Sequence, residues 1–190
     1  MQLVNIIEPF FKEDDFNILI NHFERWTFHP TQQPQRNNFE SRLLGYPCYE
    51  CKPFTEGMFS FDVFKKTFEQ KTNLKIKNLK IFFRKVFLNE LEKSSYVNKN
   101  ESLIHDDNDN ETLTHLAGVI YLNNTSLDNG TKIYNSPHNV EPTVVVGAYP
   151  NRCVFYRSNI LHSASIDWRI EVRKTIVFFI ELDNYDTRSK

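Results

Sequence analysis

The sequence predicts an α+β chain, mainly β, in which helices come first and an antiparallel β sandwich or barrel follows. Three observations carry this. After Asn78, six short β-rich runs follow one another between turn residues: "LKIFFRKVFLN", "LTHLAGVIYLNN", "GTKIYN", "PTVVVGAYP", "NRCVFYRS" and "RKTIVFFIEL". That spacing is the mark of short strands joined by tight connections. Ahead of them, two stretches repeat apolar residues at three- and four-residue intervals, the period of one helix face. The length of 190 residues suffices for one domain, and 17 Phe and 8 Tyr supply it with a core.

In chain order, "LVNII" reads as a short strand stopped at Glu8-Pro9. From about Lys12 to Trp26 the pattern is helical, with Phe16, Leu19, Ile20 and Phe23 on one face. Residues 28 to 57 hold Pro30, Pro34, Pro47 and Pro53 among several Asn and Gln, and are expected to form a long irregular loop, of the kind that serves as a lid or substrate contact. Ser60 is a good N-cap and is expected to open a second helix with Phe61, Phe64 and Phe68 as its apolar face. The six β-rich runs complete the chain. The expectation is a single domain over 1–190, with an N-terminal helical part and loop over 1–77 and a β core over 78–183.

Composition narrows the classes of function. The formal net charge is −1, and charged residues are scattered without a long single-sign block. That argues against broad electrostatic capture of nucleic acid or of an anionic membrane surface. No stretch approaches the roughly 18 apolar residues of a membrane span. The N-terminus carries early acids and no basic region, unlike a signal peptide. Three cysteines, Cys48, Cys51 and Cys153, form no disulfide framework, so reduced thiols and a cytoplasmic setting are expected. "CYEC" has the CxxC spacing, but it has no second CxxC for zinc and lies in a Pro-flanked segment, so both thiols are read as incidental.

The chemistry centres on "SLIHDDNDNETLTHLAGVIYLNN". On a strand, residues two apart share a face, so His105 and Asp107 project together and Asp106 the other way. The bland reading is an exposed acidic turn that bears a histidine. The alternative is two-thirds of a 2-His-1-carboxylate triad, which leaves three positions open on a ferrous ion. Asp106 could replace Asp107 only on an irregular backbone, and Asp109 only across a bulge. A third ligand must then be a distant histidine, and "NRCVFYRSNILHSA" supplies His162 at the end of an apolar strand. In "RIEVRKTIVFFIEL", Arg173 and Thr175 share a face with Val177 and Phe179. A charge directed into an apolar interior is costly unless paired. A bound dicarboxylate would pair it, through a guanidinium–carboxylate fork and the threonine hydroxyl. Arg169, just upstream, is the rival cation. His115 shares a face with Ala117, Val119 and Tyr121 and reads either as structural or as near the site. Tyr156 and Arg157, shortly before His162, are candidates for the pocket wall.

In this order, "HDD" (His105, Asp107), "GVIYLNN", "DNGTKIY", "NILHSA" (His162) and "RKT" (Arg173, Thr175) resemble the Fe(II)- and 2-oxoglutarate-dependent oxygenase superfamily, most closely its prolyl-hydroxylase-like branch. The resemblance covers about residues 79 to 183, and "VNIIEPFFKEDDFNILINHF" is similar to the family's N-terminal strand and helix. It implies a double-stranded β-helix, or jelly roll, with iron near one mouth. It implies Fe(II) on His105, Asp107 and His162, and 2-oxoglutarate held by Arg173 and Thr175 with Tyr121 as a hydrogen-bond partner. It implies molecular oxygen and an amino-acid or peptidyl side chain as substrates, hydroxylation as the reaction, and ascorbate as an auxiliary reductant. The chain departs from the family pattern at Asn129-Gly130, where Gly-Gly is common; Asn also tolerates positive φ. The step from His162 to Arg173 is slightly long. Two other classes share the jelly roll: a cupin-like metalloprotein with extra histidines in place of the Arg-x-Thr pair, and a non-catalytic binding domain that needs neither triad nor inward arginine.

Overall fold

The computed structural model describes residues 4–30, 48–88, 104–107, 114–123, 125–136, 141–165, 167 and 169–183. In order these form β1 (Asn5–Ile7), α1 (Glu13–Arg25), β2 (His29–Pro30), β3 (Cys48–Glu50), α2 (Phe59–Thr72), β4 (Ile76–Phe87), β5 (Leu116–Tyr121), β6 (Ser126–Tyr134), β7 (Val144–Ala148), β8 (Cys153–Arg157), β9 (Leu161–Ala164) and β10 (Val172–Leu182). Seven strands make one antiparallel sheet, in the order β1-β8-β5-β10-β4-β3-β2. Three make a second, in the order β7-β6-β9. Their inner faces enclose Ala117, Tyr121, Ile133, Val146, Ala148, Val154 and Tyr156. This is the jelly roll that the resemblance implied.

Each face of the large sheet has its own core, because alternate side chains of a strand go to opposite faces. The outer face carries Ile81, Phe83, Ile120, Phe155, Phe178 and Ile180, and the two helices cover it with Leu19 and Phe23 of α1 and Phe64 and Phe68 of α2. Glu13, Asp14 and Asp15 in the first turn of α1, and His22 and Arg25 in its last, oppose the helix dipole. Gly118 of β5 sits under this layer, where an added Cβ would lie 2.5 Å from the Phe178 ring and 2.4 Å from the Val154 carbonyl oxygen. Its missing side chain lets β8 and the phenylalanine layer close on the sheet. Asn151 fastens the N-terminal segment to the start of β8, its carboxamide exchanging bonds of 2.8 and 2.9 Å with the backbone of Phe11.

Four expectations on local structure are corrected. The segment 28–57 is not irregular at its ends: β2 and β3 pair with each other, and β3 pairs with β4, extending the large sheet. Residues 31–47 lie outside the described residues. Ser60 does not cap α2. The N-cap is Met58, with no side-chain bond, and Ser60 is buried within the first turn. The carboxylate of Asp62 instead accepts the Gly57 amide at 3.1 Å, tying the helix to the turn before it. His162 is not at the end of the β8 strand. A turn at Ser158–Ile160, closed by Ile160 N–H to the Arg157 carbonyl at 3.0 Å, starts the separate strand β9 in the other sheet. Finally, Asn129 has no positive φ; both it and Gly130 lie within β6.

Candidate metal and co-substrate site

Backbone pairing brings the three candidate ligands together. His105 forms an isolated antiparallel bridge with His162, through reciprocal N–H to carbonyl bonds of 2.9 and 2.8 Å. Two residues on, the Asp107 amide donates to the Ser158 carbonyl at 2.8 Å. These bonds set the segment along the edge of β9, with Asp106 facing solvent and His105 and Asp107 half-buried. One ligand atom from each of His105, Asp107 and His162 lies within 4.8 Å of the other two. Among the described residues no other group of three such side chains does so. His162 Nε2 is 3.3 Å from Asp107 Oδ2, and His105 Nε2 is 3.7 Å from Oδ1. Asp109 lies outside the described residues.

His162 is prepared to ligate. Its Nδ1 is 2.9 Å from the Ile160 carbonyl oxygen, to which only an N–H can donate, so Nε2 carries the free lone pair. Burial drives its pKa down to about 4, against the pull of the Asp107 carboxylate, so the ring is neutral across the physiological range. A metal-bound histidine needs both features. The buried Tyr156 ring packs 4.5 Å from the His162 ring; burial and then the Asp107 charge push its phenol well above the usual range, so it stays a neutral donor. Arg157, the next residue of β8, projects from the opposite face of the strand. His115 Nδ1 accepts the Leu182 amide at 2.9 Å, and burial lowers its pKa.

A second group of candidate residues is on the inner face of the large sheet. Arg173 is 7% exposed and Thr175 is buried beside it on the inner face of β10. The guanidinium carbon stands 5.6 Å from the centroid of the Tyr121 ring. Nη2 donates to the Gly130 carbonyl at 3.2 Å, and Nε has no partner. The Tyr121 hydroxyl is 2.7 Å from Thr131 Oγ1, and burial raises its pKa. Gly130 is required here, since a Cβ would fall 1.8 Å from the Val146 carbonyl oxygen. Arg169, by contrast, is 78% exposed and bound to Asp167 at 2.8 Å. It points away from the barrel and leaves Arg173 as the inward cation.

Sequence reasoning missed Thr131 and Asn129. Thr131 could have been found, because it shares the strand period of Ile133 in "GTKIYN". Asn129 had no comparable signal and was treated only as a turn-compatible residue. Arg84 was also missed. It lies opposite Thr175 in the β10–β4 register and is held by Glu50 of β3 at 2.7 Å.

No protein-family model matches the chain, and a comparison with curated proteins finds no match. Solved structures do match in fold. A prolyl-4-hydroxylase from Pseudomonas putida is 13% identical, with a TM-score of 0.60, over 97% of this chain and 95% of that one. A prolyl hydroxylase from Trichoplax adhaerens, solved with a peptide fragment of a hypoxia inducible factor, is 15% identical, with a TM-score of 0.57, over 94% and 83%. HygX from Streptomyces hygroscopicus, solved with nickel and 2-oxoglutarate bound, is 8% identical, with a TM-score of 0.60, over 96% and 84%. At these identities the likeness defines the fold, the double-stranded β-helix of the 2-oxoglutarate and iron oxygenases. Among the described residues no helix is long and apolar enough to cross a membrane.

Proposed function

We propose that this chain is an Fe(II)- and 2-oxoglutarate-dependent dioxygenase that hydroxylates an amino-acid or peptidyl side chain. The observation that carries the proposal is a coincidence inside one barrel. A triad of a carboxylate and two imidazoles, one held neutral with its free nitrogen toward the carboxylate, shares the barrel with a buried guanidinium whose Nε is unpartnered. The residues fit the absent groups. His105, Asp107 and His162 offer a facial set with positions left over. Arg173 and Thr175, with Tyr121 beneath, offer an acceptor-seeking end for a dicarboxylate. When bound, iron and 2-oxoglutarate supply the oxidising chemistry: oxygen is divided between the substrate and the succinate that forms with loss of carbon dioxide.

The chain's own residues do the rest. Asp107 and His162 fix the metal's position through the bridge at His105 and the Ile160 carbonyl. Arg173 orients the co-substrate by its far carboxylate. Tyr121, Tyr156 and Val154 keep the interior apolar and water-poor. The loop from His29 to Gly57, in which β2 and β3 pair, is the specificity element, and ascorbate serves as the auxiliary reductant. Buried thiols outside any disulfide suit a cytoplasmic setting. A peptidyl substrate is supported by the peptide bound to the Trichoplax enzyme. The test is succinate formation, followed across free amino acids and proline-containing peptides with Fe(II), 2-oxoglutarate and ascorbate supplied. Substrate-dependent succinate is expected. If metal binds but 2-oxoglutarate does not bind even at millimolar concentration, the cupin-like class takes this one's place.

A further inference from the structure

Buried polar atoms without a partner are rare in folded proteins, and each asks for a cause. Among the described residues there are three: Nδ2 and Oδ1 of Asn129, and Nε of Arg173. They belong to one corner of the barrel. Arg173 Nη2 reaches the carbonyl of Gly130, the residue after Asn129. Thr131, next along β6, bonds the hydroxyl of Tyr121, over whose ring the same guanidinium lies. Asn129 is fully enclosed and has no left-handed φ, so backbone geometry gives no reason for an asparagine there. An enclosed carboxamide with no bond is unfavourable against any apolar side chain of its size.

The chemistry of the unmet groups names what they lack. Two of the three, Nδ2 and Nε, are N–H donors and accompany a cation, while Oδ1 accepts and is left to a donor other than an anion. An anion with several lone pairs satisfies both, and a carboxylate offers two oxygens with room for about four bonds. The corner is closed to bulk solvent and lies beside the residues assigned above to the co-substrate. We infer that Asn129 is a second anchor for the distal carboxylate of 2-oxoglutarate, its carboxamide N–H donating alongside the Arg173 guanidinium. This rests on the function proposed above. It adds a positioning residue from the small sheet to those of the large one, so the co-substrate bridges both walls of the barrel. A neutral carboxamide adds a donor without adding charge, and so favours acids with a distal carboxylate over short 2-oxo acids.

The test uses the full chain loaded with Mn(II), titrated with 2-oxoglutarate by calorimetry and with pyruvate, which lacks the distal carboxylate, by water-proton relaxation. Asn129→Ala is expected to weaken 2-oxoglutarate about 10- to 100-fold, the usual effect of losing a bond to a charged group. Pyruvate binding should be unchanged. The melting temperature of the metal-free protein should hold or rise, since an unmet amide has been removed. Asn129→Asp keeps the shape and sets a like charge against the ligand, so it should weaken 2-oxoglutarate more than Asn129→Ala does. Wild-type affinity for 2-oxoglutarate in either variant, or an equal loss for pyruvate, overturns the second anchor. When Arg173→Ala loses 2-oxoglutarate while both Asn129 variants keep it, the anchor alone is lost. When wild type binds Mn(II) but no 2-oxoglutarate, the proposed function is overturned and the anchor with it.

Discussion

At His162 one hydrogen bond decides which ring nitrogen is available. Nδ1 is occupied by the Ile160 carbonyl, so Nε2 faces Asp107, and burial keeps the ring unprotonated. His105→Ala, Asp107→Ala and His162→Ala should each lower Mn(II) affinity and abolish turnover with the fold intact by circular dichroism. Asp106→Ala should do little, because its side chain is in solvent; equal damage from Asp106→Ala would move the carboxylate ligand by one residue. Arg173 makes the second prediction. Truncating one partner of a buried charge pair costs about 2–5 kcal/mol, or about 30-fold to several-thousand-fold in 2-oxoglutarate affinity. Arg173→Ala should show that loss with Mn(II) binding nearly unchanged, and Arg169→Ala should show none. Arg173→Lys should recover only part, since an ammonium lacks the planar fork. The inward direction of Arg173 was legible from strand period alone. The burial of the Asn129 carboxamide was not. β6 shifts register between Ser126 and Thr131, so simple alternation gives no face there, and an unmet carboxamide becomes visible only when everything around it is known.

Elements built from local pattern were readable, and elements built from distant pairing were not. The stripe Phe16, Leu19, Ile20, Phe23 gave α1, and β-rich runs between turn residues gave β5, β8 and β10, because both signals are written in consecutive residues. β3 has only the residues Cys48–Glu50 and exists because β4 offers it an edge. β9 looks like the tail of β8 until the turn at Ser158–Ile160 sends it to the other sheet. β6 carries a testable element-scale constraint. Gly130→Ala puts a methyl group against the Val146 carbonyl, where the β6–β7 pair cannot open without loss of the sheet. Overpacking of this kind costs about 1–3 kcal/mol. The variant should melt lower and bind 2-oxoglutarate more weakly, since the Gly130 carbonyl also receives Arg173; an unchanged melting curve would show that β6 yields. Shortening the chain within 31–42 should reduce turnover of the true substrate more than 2-oxoglutarate affinity. Parallel losses in both would make that segment a support for the sheet.

At the scale of the whole molecule, the helical layer and the barrel interior share strands and therefore stability. Phe64 of α2 is fully buried, with its ring 4.7 Å from that of Phe178 and 5.6 Å from that of Phe10. Phe178 belongs to β10, which pairs with both β4 and β5 and also carries Arg173 and Thr175 on its other face. β1 and β3, both from the N-terminal part of the chain, are strands of that same sheet. A structure joined in this way should unfold in one step. The cysteines provide a probe. Cys48, Cys51 and Cys153 are buried, and burial raises the Cys51 thiol to about 11 and that of Cys153 well above the ordinary range. At pH 8 the native Cys51 and Cys153 thiols are therefore protonated, all three thiols are enclosed, and none should react with a disulfide reagent until the chain opens. Urea titrations followed by far-ultraviolet circular dichroism, aromatic fluorescence and thiol labelling should give coincident transitions. Phe64→Ala should shift all three together, by the about 3–5 kcal/mol that a phenylalanine-to-alanine change in a core costs. It should also weaken 2-oxoglutarate binding, because β10 carries Arg173 and Thr175 of the proposed co-substrate site. If the variant instead splits the curves, with labelling at Cys48 and Cys51 ahead of Cys153, the segment before residue 78 is a unit that opens by itself, and the barrel alone holds the site.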